Sequence, residues 1–185
     1  MNKWAILLFL LGVSCLLYAG MISHKQGAEM NQLQTALEEI KDTGKQSDSS
    51  LPLEEDVLLG AVQLYIPGID LDSPVLPETT KEFLNIALTQ IKSNQVPGQG
   101  NFTIAGHNSA VYGRHFNRLH EVNIGDEIHL IDGEEAFIYE VESKKIIAPS
   151  EVDVLHDHPN KKEITLITCT VSGTKRLAVK GKRIS

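Results

Sequence analysis

The chain has 185 residues, a formal net charge of −7 and a pI near 5.5. That length admits one ordinary domain with an appendage but not two large domains. The acidic balance excludes nucleic acid as the main partner, because phosphate binding needs a basic surface. Residues 4–22 (WAILLFLLGVSCLLYAGMI) form an uninterrupted apolar run after Lys3. At 1.5 Å per helical residue these nineteen positions span roughly the 30 Å hydrocarbon core. The preceding positive charge predicts a single-pass anchor with its N-terminus cytoplasmic and the remainder outside the cell. A cleaved signal peptide fits poorly, since Leu17-Tyr18-Ala19 is not a small-x-small site. Gly12-Val13-Ser14-Cys15 is a weak match to a lipoprotein processing site, with Gly12 where Leu is expected.

Residues 1–24 are therefore assigned as the anchor and 25–56 as a polar linker. From Ser23 to Asp56 three lysines face eight acids, a net of −5. Within it, residues 30–40 (MNQLQTALEEI) predict a short helix with Leu33, Leu37 and Ile40 on one face. Residues 42–50 lack any period and read as a solvated tether. The folded domain, residues 57–185, is mainly β. Strands are predicted over 61–66 and 69–75, with Pro67-Gly68 as punctuation and Pro74 suggesting an edge. Residues 81–91 (KEFLNIALTQI) carry helical spacing. Strands follow over 101–105, 127–131, 136–141 and 164–170, with 144–147 continuing and 177–180 closing the series. Many short strands separated by turn residues predict a closed, antiparallel-rich barrel or a sandwich.

Cys15 and Cys169 are the only cysteines, and Cys15 lies in the apolar run, so the domain carries one thiol. No disulfide within the domain and no thiolate zinc cluster can form. A lone strand cysteine is usually a buried structural residue. Here, however, polar Thr168 and Thr170 flank Cys169 at the end of an apolar run, and Lys175-Arg176 follows a Gly-containing turn. If the chain reverses at that turn, Arg176 becomes a cross-strand neighbour of Cys169 and can stabilise a thiolate or an oxyanion. A cysteine nucleophile also needs a proton carrier. Of seven histidines, His107 stands at a strand end after Gly106, where a small residue lets the backbone turn closely. His115, His120 and His129 fall in polar loops or on a strand of uncertain facing. His156-Asp157-His158 offers a rival reading as a metal site, but no third or fourth ligand has a suitable spacing. A loop is the plainer interpretation.

TLITC at 165–169, with Arg176 seven residues later in KRLAVKG, resembles the nucleophile signature of sortases. IAGH at 104–107 resembles their histidine segment, and residues 60–75 (GAVQLYIPGIDLDSPV) resemble their first strands. The likeness covers about 56–185 together with the anchor. It implies a closed eight-stranded sortase-type β-barrel with one or two short helices. It also implies a cysteine transpeptidase that cleaves an LPxTG-like sorting signal between Thr and Gly and joins the surface protein to an amine of a lipid-linked peptidoglycan precursor. In that likeness Cys169 is the nucleophile, His107 the proton carrier and Arg176 the oxyanion and backbone holder. Ala105 and Thr168 line the groove, and Val152, Val154 and Leu155 supply part of its apolar wall. The pattern looks like class A, with class D close behind and pilin-polymerising class C a poor fit. No cofactor is implied: a calcium site would need several acids before the histidine strand, where Glu78 and Glu82 are the main candidates. Cysteine L,D-transpeptidases, which act on the same polymer, carry an SHGC-type motif that this sequence lacks. A noncatalytic surface module with an inert Cys169 is the other alternative.

Overall fold

The computed structural model describes residues 3–43, 55–109, 111 and 113–185. The strands are β1 (Val62–Ile66), β2 (Leu71–Leu76), β3 (Leu88–Gln90), β4 (Asn101–Ala105), β5 (Glu127–Asp132), β6 (Glu135–Ile147), β7 (Glu163–Cys169) and β8 (Arg176–Arg183). They close into one barrel in the order β1-β2-β3-β4-β7-β8-β6-β5. Closure leaves no unpaired edge to template association. The period-2 pattern sends Val62, Leu64 and Ile66 inward from β1, Phe102 and Ile104 from β4, Ile164 and Leu166 from β7, and Leu177 and Val179 from β8.

Most neighbours are antiparallel, but β2–β3 and β4–β7 are parallel. The second exception brings the ends of two distant segments together. Parallel strands finish at the same end of a sheet, so whatever follows β4 lies beside whatever ends β7. The register pairs Ala105 with Ile167 at its end, so the segment carrying His107 leaves β4 beside the last residues of β7.

Among the described residues three α-helices accompany the barrel: α1 (Lys3–Thr43), α2 (Glu55–Leu59) and α3 (Lys81–Ile86). The helix expected over 30–40 is the end of the much longer α1. Its Leu33 and Ala36 are buried against Leu58, Leu76 and Ala87, with Leu37 beside them, forming a second small core outside the barrel. Trp4, Leu7, Phe9, Leu11, Leu16 and Leu17 of α1 are exposed. Among the described residues no helix is long and apolar enough to cross a membrane. The tether expected over 42–50 lies outside the described residues, apart from its first two positions.

Two expectations need correction. The helix expected over 81–91 stops at Ile86: Ala87 is extended, and Leu88–Gln90 become β3. The helical spacing of Phe83, Ile86, Ala87 and Gln90 is overridden because β3 bridges β2 and β4 and completes the barrel. Pro74 does not mark a free edge either. It faces Gln63 of β1, and β3 joins the other side of β2 only at Val75 and Leu76, so the missing proline N–H costs no ladder bond there.

Candidate active site

Strand β7 alternates Ile164, Leu166 and Thr168 on its interior side with Glu163, Thr165, Ile167 and Cys169 on the other. Cys169 is half-buried at the strand end. Beyond β4 the chain stays tied to β7. Gly106 N donates to the Ile167 carbonyl at 3.1 Å, and Thr168 Oγ1 donates to the Gly106 carbonyl at 2.8 Å. Asn108 Nδ2 donates to the Cys169 carbonyl at 2.9 Å. These bonds hold exposed His107 at the cavity that Cys169 also lines. Gly106 has to be glycine, because a Cβ there would strike the side chains of Leu88 and Phe116.

On the other side, β8 begins directly opposite: Cys169 pairs with Arg176 in the antiparallel register. The reversal uses Gly173 at φ +73°. Arg176 Nη1 donates to the carbonyls of Gly173 at 3.2 Å and Lys175 at 3.1 Å. A cavity of about 520 Å³ opens at this rim, lined among others by His107, Asn108, Asn117, His120, Cys169 and Val171. The Cys169 thiol and the His107 imidazole thus share one cavity, and Arg176 starts the strand paired with Cys169. That set can attack a carbonyl, shuttle one proton and neutralise one oxyanion.

The other expected residues distribute around this centre. Half-buried Ala105 is level with Ile167, which is level with Ala178, an apolar row one step from the Cys169–Arg176 pair. Thr168 is 3% exposed, with its hydroxyl engaged by Gly106. The turn Val152–Leu155 lies in the β6–β7 connection, with Val152 exposed and Val154 and Leu155 half-buried. Val154 also borders a cavity of about 260 Å³ with Thr165, Ala178 and Lys180. That connection is held from below. Asn101 Nδ2 donates to the carbonyls of Val154 at 2.9 Å and His156 at 3.2 Å, and Asn101 N donates to Asp157 Oδ1 at 2.7 Å. Lys92 Nζ reaches the same carboxylate at 2.8 Å. The Lys92 and Asn101 bonds hold the Asp157 carboxyl below its ordinary range. In the 156–158 triplet, His158 Nδ1 contacts Glu163 Oε2 at 2.8 Å, and His156 is 3.7 Å from Asp153. Glu78 and Glu82 are both exposed. Among the described residues no group of three or more His, Cys, Asp or Glu is arranged to hold a metal ion.

Sequence reading passed over Asn108, which ties the segment after β4 to the end of β7, and set His115 aside as a loop residue. The latter is 5% exposed, its ring 6.4 Å from that of His107. Burial first, then the Arg114 and His107 charges, lower its pKa to about 4. A sequence signal existed only for Asn108, adjacent to the histidine; nothing local marks a loop histidine as buried.

A closed barrel with cysteine, histidine and arginine at one rim carries the groups that a cysteine-nucleophile acyl-transfer site requires. The sortase domain family matches residues 64–184 of this chain. Sortase A of Bacillus anthracis is 36% identical over 131 residues, covering 70% of this chain and 61% of that protein. Sortase A of Listeria monocytogenes is 33% identical over 131 residues, covering 70% and 58%. The chain thus spans about six-tenths of the length of these relatives. A solved sortase A from Listeria monocytogenes superposes with a TM-score of 0.64 at 32% identity, covering 67% of this chain and 86% of that one. A Clostridium perfringens sortase D5 transpeptidase gives 0.68 at 27% identity, covering 84% and 99%. The chain belongs to the sortase family.

Proposed function

We propose that this protein is a membrane-anchored cysteine transpeptidase that attaches surface proteins to the cell wall. The observation that carries the reading is the register of β7 with β8, Cys169 opposite Arg176, at a cavity shared with His107. In the first step Cys169 Sγ, as thiolate, attacks the carbonyl carbon between Thr and Gly of an LPxTG-like signal. The tetrahedral oxyanion forms beside the Arg176 guanidinium. As the C–N bond breaks, His107 gives its proton to the departing glycine amine, leaving a thioacyl-enzyme. In the second step an amine of a lipid-linked peptidoglycan precursor attacks that thioester, His107 takes the amine proton, and the thiolate leaves. The apolar row Ala105–Ile167–Ala178, with Val154 and Leu155 nearby, suits the Leu-Pro part of the signal.

Anchorage rests on the apolar run of residues 4–22 and on the exposure of Trp4, Phe9, Leu16 and Leu17 along α1. Side chains of that kind are stable in hydrocarbon and costly in water. With the N-terminus cytoplasmic, the barrel stands outside, on the same surface as the lipid-linked acceptor. Confinement to one surface raises the effective concentration of all three participants.

The test uses the full chain in detergent micelles with a fluorescent LPxTG peptide and an added oligoglycine amine. Mass spectrometry should show cleavage after Thr, a thioacyl adduct on Cys169 and the amide product. Cleavage that survives alkylation of Cys169, or no cleavage across a library of sorting pentapeptides, refutes the assignment.

A further inference from the structure

The segment after His107 folds back on that residue. Asn108 and His115 form a single antiparallel bridge, and Phe116 N donates to the His107 carbonyl at 3.0 Å. His115 takes a left-handed backbone, φ +50°, which few side chains tolerate. Its ring meets that of His107 edge to face, with planes 77° apart. Arg114 Nε donates to His115 Nε2 at 3.0 Å. An arginine Nε–H can only donate, so Nε2 is an acceptor and the proton of the neutral ring sits on Nδ1. Nδ1 is buried and makes no well-formed hydrogen bond among the described residues, and the nearby Asn85 backbone, which favours the charged ring, is outweighed by burial and the Arg114 charge. A second proton would have to enter at Nε2, pointing at the guanidinium. The geometry keeps His115 uncharged, in agreement with its lowered pKa of about 4.

A buried polar atom without a partner is costly, and so is a left-handed backbone away from glycine. A glycine or asparagine would close the turn more cheaply, and an aliphatic residue would fill the space without an orphaned nitrogen. What histidine alone supplies together is a flat ring against His107, an acceptor for Arg114 and a backbone that accepts φ +50°.

We infer that His115 is a positioning residue for His107: an uncharged imidazole that fixes the orientation of the neighbouring ring in the cavity it shares with Cys169. The inference rests on the reading of His107 as the proton carrier. His115 itself touches neither thiol nor substrate in this account. Its packing limits the swing of an otherwise exposed imidazole, and its neutrality places no second positive charge beside His107 when that ring is protonated.

The test compares full-length wild type with His115→Ala, His115→Asn and His115→Phe. His115→Ala removes the ring. kcat for peptide cleavage should fall about tenfold or more, since small misplacements of a reacting group cost up to about a hundredfold. KM should stay within about twofold, the pattern for a group that acts after binding. His115→Asn keeps the backbone preference without the ring, and it should show the same split even if the alanine variant folds poorly. His115→Phe restores the flat ring and should recover most of kcat despite losing Nε2. Independently of turnover, the His107 ring resonances in 13C-edited NMR should move in His115→Ala and His115→Asn while those of His120 stay put. If wild type proves inactive on every sorting peptide, the function reading fails, and the NMR arm still decides the coupling of the two rings. The inference is overturned if the ring-less variants keep kcat within twofold, if the loss lies in KM or melting temperature alone, if phenylalanine is no better than alanine, or if His107 resonances do not shift.

Discussion

The two ends of strand β7 carry charge in opposite ways. At its start, the Glu163 carboxylate is 3% exposed and meets Lys180 Nζ at 3.1 Å, His158 Nδ1 at 2.8 Å and Lys161 Nζ at 3.6 Å. At its finish, Cys169 is half-exposed, and the Arg176 guanidinium bonds to neutral backbone carbonyls. Both ends use the same neighbours, β4 and β8. At the first, a buried charge is matched from several sides, which holds the barrel together. At the second, imidazole and thiol line an open cavity, and the cation beside them meets only the turn carbonyls. On the proposed function, stability and reactivity are segregated along the seven residues of β7.

Removing the chemistry at the reactive end should give the largest effect with the least structural damage. Cys169→Ala should lower peptide turnover by more than about 10³-fold, because the covalent route is lost outright. Its unfolding free energy should stay within about 1 kcal/mol of wild type, as the site is half-exposed. Denaturant titration beside the peptide assay checks both halves. Arg176→Ala should cost about 10² to 10³-fold in kcat, the range for losing one oxyanion donor. Arg176→Lys should recover only part of it, since a point charge does not reproduce the guanidinium fork. A KM-only defect in Arg176→Ala would remove the oxyanion role.

The paired end should respond in reverse. Glu163→Gln should destabilise the fold by about 2 kcal/mol, typical for a hydrogen bond to a charged group. The exposure of Lys161 and His158 keeps the effect from being larger. Turnover of the folded enzyme should stay within about twofold, since the pair lies at the far end of β7 and touches no reacting group. Burial alone would raise the Glu163 carboxyl, but the Lys180 and His158 hydrogen bonds outweigh it and hold the group below the ordinary glutamate value of 4.5. A depressed folded pKa stabilises above the unfolded value and loses that contribution as pH falls through the folded value. Below about pH 4.5 the wild-type melting temperature should therefore converge on that of Glu163→Gln. A gap between the two that is constant with pH would contradict the ion-pair account.

The pairing of Cys169 with Arg176 was legible in the sequence, because a β-branched run, a Gly173 turn and a second run leave few ways for the chain to reverse. The alternating strands and the glycine before His107 were legible for similar local reasons. The parallel contact of β4 with β7 was not, since nothing within either strand records which distant partner it takes; only the family resemblance implied that His107 and Cys169 meet. Residues 88–90 were misread because their apolar spacing suits a helix, and the force that extends them is pairing with β2 and β4. Continuity of α1 through residues 23–29 was missed because that stretch is polar and lacks a helical period. The burial of His115 depends on a bridge to Asn108, a tertiary event invisible to composition.

The smallest effect should come from the connection that sits between the two ends. The β6–β7 segment is held by Asp157, which takes Lys92 Nζ and Asn101 N, and by Asn101 Nδ2 on the carbonyls of Val154 and His156. The Lys92 and Asp157 side chains are 32% and 63% exposed, so their ion pair contributes at most about 1 kcal/mol. Asp157→Asn keeps the shape, removes the charge and leaves Asn101 to carry the attachment. If the turn Val152–Leu155 walls the substrate groove, loosening it should raise KM for an LPxTG peptide about two- to fivefold and leave kcat unchanged, because at most about 1 kcal/mol of binding is at stake. The ion pair should also weaken in salt, so wild-type KM should drift toward that of the variant as ionic strength rises. A change in kcat instead would mean that this connection reaches the reacting centre, and the separation between a binding wall and a chemical rim would have to be redrawn.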